Sequence, residues 1–243
     1  MAPMILAILL LAASSPAELK KSCNAGKPAA CDELGNRLQD GLGIRRDEVR
    51  AAELFRKACN GKHQDGCADD ARALALGQGQ EADPRAALPR LEQLCQAGWL
   101  RACGHLGDIF SQGIGSPQDS TRAEGLLATS CDKGVARPCL TLAVAAFRGG
   151  SRGRAEDLAR RACELGDPPG CAFLGEIFAS TKDMVRAGVY FARACEAGFA
   201  RGCAEHGYLL VDSGVDPKRG RQLLQRGCDG GEVRACDVLR ELK

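Results

Sequence analysis

Ala155 to Ser180 reads AEDLARRACELGDPPGCAFLGEIFAS, and this stretch decides the fold. Ala155, Leu158, Ala159, Ala162 and Cys163 recur at helical spacing. Gly166 then ends the helix in the left-handed conformation that glycine tolerates. Asp167 can cap a second helix with Pro168 at its first position, and Cys171, Leu174, Gly175 and Phe178 carry its apolar stripe. The reading is a helix, a tight turn and an antiparallel helix, with one cysteine on each side of the turn.

The same grammar recurs along the chain. Cysteines stand eight positions apart in seven pairs: Cys23 with Cys31, Cys59 with Cys67, Cys95 with Cys103, Cys131 with Cys139, Cys163 with Cys171, Cys195 with Cys203, and Cys228 with Cys236. Successive pairs begin 36, 36, 36, 32, 32 and 33 residues apart, a self-similarity that marks a repeat protein. Three residues after the first cysteine stands Gly26, Gly98, Gly134, Gly166, Gly198 or Gly231, and only Lys62 breaks the column. Three residues after the second stand Leu34, Leu106, Leu142, Leu174 and Leu239, followed by a small residue such as Gly35, Gly107 or Gly175. Large apolar residues recur four before the first cysteine: Leu19, Phe55, Leu91, Leu127, Phe191 and Leu224. These are core columns, and the small ones let helices approach closely. The loops after the second helix of each early unit are long and glycine-rich, and the later units lose about one turn there. Pro89 falls inside a helical run and predicts a kink or a late helix start.

Periodicity also decides the cysteine pairing. A Cys-x7-Cys joins the end of one helix to the start of its antiparallel neighbour, which brings the two Cβ atoms near disulfide range. Structural zinc favours cysteines two to four residues apart, and no C-x-x-C occurs, so neither a metal site nor a dithiol redox centre is expected. Fourteen cysteines in a disulfide framework imply an exported protein. The N-terminus agrees. Met4 to Ala13 is an apolar run too short to span a bilayer, and Ser15-Pro16-Ala17 fits a small-x-small cleavage signal. Residues 1–17 therefore read as a secretory signal peptide, although no Lys or Arg precedes the run, and residues 18–243 read as the repeat solenoid of six to seven helix hairpins. Release to the periplasm or beyond follows, with no membrane attachment after cleavage and a monomer as the expected state.

The run A-x6-AC-x2-G-x3-GC-x2-LG, carried nearly whole by Ala187 to Gly207, resembles Sel1-like repeats, relatives of tetratricopeptide repeats. The x7 cysteine spacing resembles one branch, the Helicobacter cysteine-rich protein family. The resemblance covers residues 18–243. It implies an all-α, right-handed superhelix of hairpins stapled by seven disulfides, and an adaptor for proteins or peptides. Members of the cysteine-rich branch have been described as penicillin-binding proteins and weak β-lactamases, so the resemblance also admits a β-lactam or peptidoglycan-like ligand. A eukaryotic relative of the same type is a mitochondrial intermembrane-space assembly factor for cytochrome oxidase; the signal-like N-terminus argues instead for bacterial-style export.

The residues themselves give little support to catalysis. One S-x-x-K occurs, Ser130 to Lys133, with neither S-D-N nor K-T-G. Ser130 falls in a small core column beside a paired cysteine and Lys133 at the turn, so the match reads as chance. His63, His105 and His206 lie in separate units, and no cofactor or metal is implied. The net charge of +2, with both signs interspersed, and only 4% aromatic residues argue against nucleic acid. Asp70 and His206 break the leucine column and read as the partly exposed edges of irregular units. Trp99 reads as a staple for its turn.

What remains is a surface. Positions two and five after the second cysteine should project onto the concave face: Glu33 and Asn36, Asp69 and Arg72, His105 and Asp108, Thr141 and Val144, Phe173 and Glu176, Glu205 and Tyr208. The leading expectation is a non-enzymatic scaffold that holds a protein or peptide along this ladder. β-Lactam binding or slow hydrolysis is the alternative.

Overall fold

The computed structural model describes residues 14–242. Most of the expected signal peptide, residues 1–13, lies outside the described residues. Ser15 caps the first helix through a reciprocal pair with Glu18, so the expected cleavage signal Ser15–Ala17 forms the cap and opening turn of that helix.

Among the described residues fourteen helices make seven hairpins. The first three are α1 (Pro16–Asn24) with α2 (Pro28–Asp40), α3 (Glu48–Asn60) with α4 (Gln64–Leu76), and α5 (Pro84–Gln96) with α6 (Leu100–Gln112). The next two are α7 (Ser120–Asp132) with α8 (Ala136–Arg148), and α9 (Arg152–Glu164) with α10 (Pro168–Ser180). The last two are α11 (Met184–Glu196) with α12 (Ala200–Asp212), and α13 (Pro217–Asp229) with α14 (Val233–Glu241). There is no strand among the described residues, only one isolated bridge between Leu42 and Phe199.

Each hairpin turns in three residues and is clipped by its own disulfide. All seven pairs form as the spacing predicts. Cys23 bonds Cys31, Cys59 bonds Cys67, Cys95 bonds Cys103 and Cys131 bonds Cys139. Cys163 bonds Cys171, Cys195 bonds Cys203 and Cys228 bonds Cys236. Their Cα–Cα distances run from 4.3 to 4.9 Å, and no cysteine is free. Gly166 takes φ +88° in its turn and Asp167 accepts a hydrogen bond from the Gly170 amide, as the quoted stretch implies. Lys62, the exception in the glycine column, adopts the same left-handed conformation at φ 63°. The drop in repeat length comes from the loops between hairpins and leaves the helices alone. Residues 41–47, 77–83 and 113–119 give way to 149–151 and 181–183, while every helix from α2 to α13 keeps 13 residues.

The core columns pack as facing partners. A Cβ built on Gly35 would stand 2.6 Å from the Phe55 ring, and one on Gly175 would stand 2.6 Å from Phe191. Small and large residues therefore interlock at each hairpin-to-hairpin step. Even-numbered helices touch one another in series from α2 to α12, which odd-numbered helices do not do to a comparable extent. The even helices thus line the inner face of the curve.

α5 begins at Pro84 behind its Asp83 cap and contains Pro89, so of the two alternatives the late start does not occur. One expectation is corrected. Asp70 is not at an exposed edge. It is buried, and Arg90 meets its carboxylate at 2.7 Å, so an ion pair replaces the missing leucine contact. Trp99, the N-cap residue of α6, stands 42% exposed.

The curve closes on itself. The Gly43 amide, in the loop after α2, donates to the Gly198 carbonyl in the α11–α12 turn at 2.9 Å, beside the Leu42–Phe199 bridge. A Cβ on Gly198 would lie 2.7 Å from the Gly43 nitrogen, so this seam needs glycine there for closeness as well as for its φ of +87°. The first hairpin is thereby seated against the sixth.

Candidate functional site

The inner face of the first three hairpins walls a cavity of about 290 Å3. Glu33 and Asn36 from α2, Asp69 and Arg72 from α4, and His105 and Asp108 from α6 all line it. Three repeats bring the same two positions, one helical turn apart, to one place. The far wall comes from the starts of α8 and α10, through Arg137 and Asp167, and Leu42 contributes from the seam loop. The cysteines brace this site from outside it. Cys31, Cys67 and Cys103, which open the three inner helices, do not line the cavity, and neither does Cys236 in the last hairpin. Their role is the covalent clip at each turn.

Beneath the cavity lies a buried ionic network that joins three units. Arg101 donates through one nitrogen to Asp32 at 3.0 Å and to Asp69 at 2.8 Å. Asp69 also accepts from Asn36 Nδ2 at 3.2 Å and from His105 Nε2 at 2.7 Å. Asp69 has the richer set of donors and keeps the charge. Burial works against ionisation there, but the His105 hydrogen bond and the Arg101 charge hold its carboxyl well below the usual carboxylate range. Asp32 lies in the same field with fewer donors. Burial, with the Asp69 charge beside it, pushes its carboxyl up to about 8 against the pull of Arg101. Burial likewise pushes His105 down, so it stands neutral and donates.

Across the cavity, Arg137 ties three hairpins together. It reaches Asp40 of the first at 2.5 Å and Asp167 of its neighbour at 3.0 Å. Burial disfavours its charge, and the two carboxylates more than restore it. The inner face is therefore bridged at this level, and its first half forms a chamber instead of an open trough.

The second half of the expected ladder lies on α8, α10 and α12, outside that chamber. Thr141 bonds its own helix through the Arg137 carbonyl, and Val144 is half-buried. Phe173 meets Phe147 edge-on at 5.8 Å between centroids. Glu176 pairs with Arg201 at 2.8 Å, Glu205 is half-buried, and the Arg234 guanidinium lies 4.9 Å over the Tyr208 ring. His206 is half-buried, as an edge position should be.

Sequence reasoning missed the arginines. Arg101, Arg137, Arg201 and Arg234 all stand two residues before the second cysteine of their units, a column filled in four of the seven units against five for the leucines. It also missed His63, whose Nδ1 caps α4 by accepting from the Gly66 amide at 3.2 Å.

The catalytic alternative finds no machinery at its one motif. Ser130 is wholly buried, its hydroxyl donating to the Leu126 carbonyl at 2.8 Å and facing that of Leu100 at 3.1 Å. Lys133 is the exposed residue that ends α7. A nucleophile needs access, a base and an oxyanion site, and Ser130 lacks the first. Among the described residues no group of three or more His, Cys, Asp or Glu could hold a metal ion. No helix there is long and apolar enough to cross a membrane.

A family model described as Sel1 repeat matches residues 28–63, 100–135, 150–167, 168–199 and 200–232, well over half of the chain. The stretch between the first two segments, which holds Asp70 in the leucine column, falls outside the match. No curated protein matches the sequence. Among solved structures, a Sel1 repeat protein from Oxalobacter formigenes superposes with a TM-score of 0.58 at 17% identity, over 87% of this chain and 89% of its own. The protective antigen c5321 of uropathogenic Escherichia coli, which displays an SLR fold, gives 0.58 at 17% identity over 94% of this chain. This chain spans 59% of that antigen's length. Yeast Tom70 gives 0.51 at 16% identity, over 87% of this chain and 48% of its own. At these identities the likeness is one of fold, and it lends nothing to β-lactam chemistry.

Proposed function

The chain belongs to the Sel1 repeat family, and from that premise we propose that it is an exported, non-enzymatic scaffold that holds a protein or peptide against its inner face. Sel1 repeat proteins generally bind protein partners. Seven disulfides fit an oxidising compartment outside the cytoplasm. They suit a scaffold whose units each bury little and need bracing to keep a surface in shape.

The observation that carries the reading is the chamber at the first three hairpins. Concave sites with a few fixed polar groups are the usual form of a recognition site, and here six side chains at repeat-related positions converge on one cavity. At about 290 Å3 it takes a side chain or a chain end, so a partner would insert part of itself and lay the rest along α8, α10 and α12.

Panning the oxidised full chain against a random peptide library tests this, with photo-crosslinking from Asn36 and, as a control, from Glu53 on α3. Retained peptides should crosslink at Asn36 and not at Glu53. Peptides that map to the outer helices overturn the reading. So does an absence of retained peptides alongside turnover of a chromogenic β-lactam.

A further inference from the structure

The arginine column has a common habit. Arg101 reaches back to Asp69, Arg201 to Glu176, and Arg234 to Tyr208. Each partner stands two or five residues after the second cysteine of the preceding unit, so each arginine joins one rung of the inner ladder to the next. Arg137 is the fourth member, and the acidic residue at that position in the preceding unit is Asp108. Arg137 goes elsewhere, to Asp40 and Asp167.

Asp108 is left in an unusual state. It is 9% exposed, and its Oδ1 is shielded and without a hydrogen-bond partner. Its carboxylate forms no ion pair among the described residues, yet it lines the chamber. A buried carboxylate in that condition is costly unless a donor or a cation meets it. Arg137, Arg72 and His105, which line the chamber with it, do not fill the gap. Arg137 is engaged by two other carboxylates. His105 is neutral and donates to Asp69. Arg72 bonds Gln78 at 3.1 Å and keeps its Nε–H unpartnered in the same chamber.

We infer that Asp108 is the anchor for a cationic side chain, a guanidinium or primary ammonium, that a bound peptide inserts into the chamber. The inference rests on the peptide-binding reading and names the chemistry that site selects. Two open valences remain in the lining: the Asp108 carboxylate, which a cation satisfies, and the Arg72 Nε–H, which an acceptor satisfies. Arg37, Arg101 and Arg137 are committed to Glu33, to Asp32 with Asp69, and to Asp40 with Asp167. A metal ion would need further ligands that no cluster supplies among the described residues. A guanidinium entering beside Asp108 occupies the rung that Arg137 leaves empty.

The test is calorimetric titration of the oxidised full chain with Nα-acetyl-argininamide and, as the neutral comparison, Nα-acetyl-glutaminamide. The arginine probe should bind at least tenfold more tightly. Asp108→Asn should remove that preference, and Asp212→Asn, on the exposed end of α12, should keep it. Backbone amide shifts in the unmodified protein give a second readout that needs no variant: the arginine probe should move His105 to Asp108 and Arg72. Equal affinity for both probes, or shifts confined to other surfaces, overturns the inference. Library peptides that crosslink at Asn36 without any enrichment of Arg or Lys also overturn it and leave the peptide reading standing. Argininamide binding at Asp108 with no library peptide retained overturns the peptide reading and leaves the chamber's cation preference standing.

Discussion

Arg101 and Arg201 occupy the same position in their units and meet opposite surroundings. Arg101 lies two-thirds buried between Asp32 and Asp69, whose side chains are each only 5% exposed. Arg201 reaches Glu176 at the surface, half exposed itself. The first three hairpins, with Arg137 of the fourth, thus concentrate charge in the interior, while the last ones place aromatic rings on the inner face and move arginines outward. Arg161, Arg193 and Arg226 show the second habit. Each donates to a main-chain carbonyl near the end of the preceding odd helix, at Asp132, Cys163 and Cys195. The Cys163 and Cys195 carbonyls also accept the Gly166 and Gly198 turn amides, and all three carry the negative end of the helix dipole, so a cation suits them. One fold therefore uses arginine as an interior tie in one half and as a rim clamp in the other.

Replacing each arginine in turn is the strongest way to break that contrast. Arg101→Ala leaves the buried Asp69 carboxylate without its cation and the Asp32 carboxyl without its donor, and should cost about 3 kcal/mol, the low end for a broken buried pair because the guanidinium is partly exposed. Arg201→Ala should cost no more than about 1 kcal/mol. Urea unfolding with the disulfides intact reads both, and equal losses would erase the distinction. Next in size, removing Cys59–Cys67 from the first half or Cys163–Cys171 from the second by paired Ser substitution should cost roughly 2.5 kcal/mol each in the chain-entropy model, since the closed loops are equally long. A cost that differs between the halves would show that local packing governs, and not loop length.

Acidity, read with and without Asp32, probes the interior tie. Asp32 has a raised pKa when folded, so between its ordinary value near 4 and about 8 the folded chain holds a proton that the unfolded chain has released. Stability from this group is complete below that window and is lost as pH rises through it, at no more than about 1.4 kcal/mol per pH unit. Asp32→Asn should flatten the decline, seen as melting temperatures at pH 5 and pH 8 that lie closer together than in the unmodified protein. The opposite trend would show that Asp32 is ionised at neutral pH. The smallest effect is common to both halves. Lys62 and Lys182 both hold φ 63°, and changing either to Gly should stabilise by up to about 1 kcal/mol, read as a rise in melting temperature.

The fold was legible because its determinants are local. The cysteine interval, the left-handed residue in each tight turn, the Asp167 cap and the facing columns of Gly35 with Phe55 each involve neighbouring helices, and a repeat states them several times. The inner-face positions followed from the same arithmetic, and six of them do line the chamber. The ties did not follow. Arg101 joins residues from three units, and its role shows only once the units are stacked. Arg137 bridges to Asp40 and Gly43 bonds Gly198 because small rotations at each step add up to a nearly closed ring, a sum that no single repeat encodes. Asp70 was misjudged for a related reason: its partner Arg90 belongs to the following unit.

The seam between Gly43 and Gly198 has a consequence for the length of the molecule. An open stack can gain or lose a module in the course of descent and still fold, since each module meets only its neighbours. Here an inserted or deleted hairpin ahead of the sixth would carry the α11–α12 turn out of register with the loop it grips. Closure makes the number of modules a property of the whole, as the number of staves is fixed in a barrel.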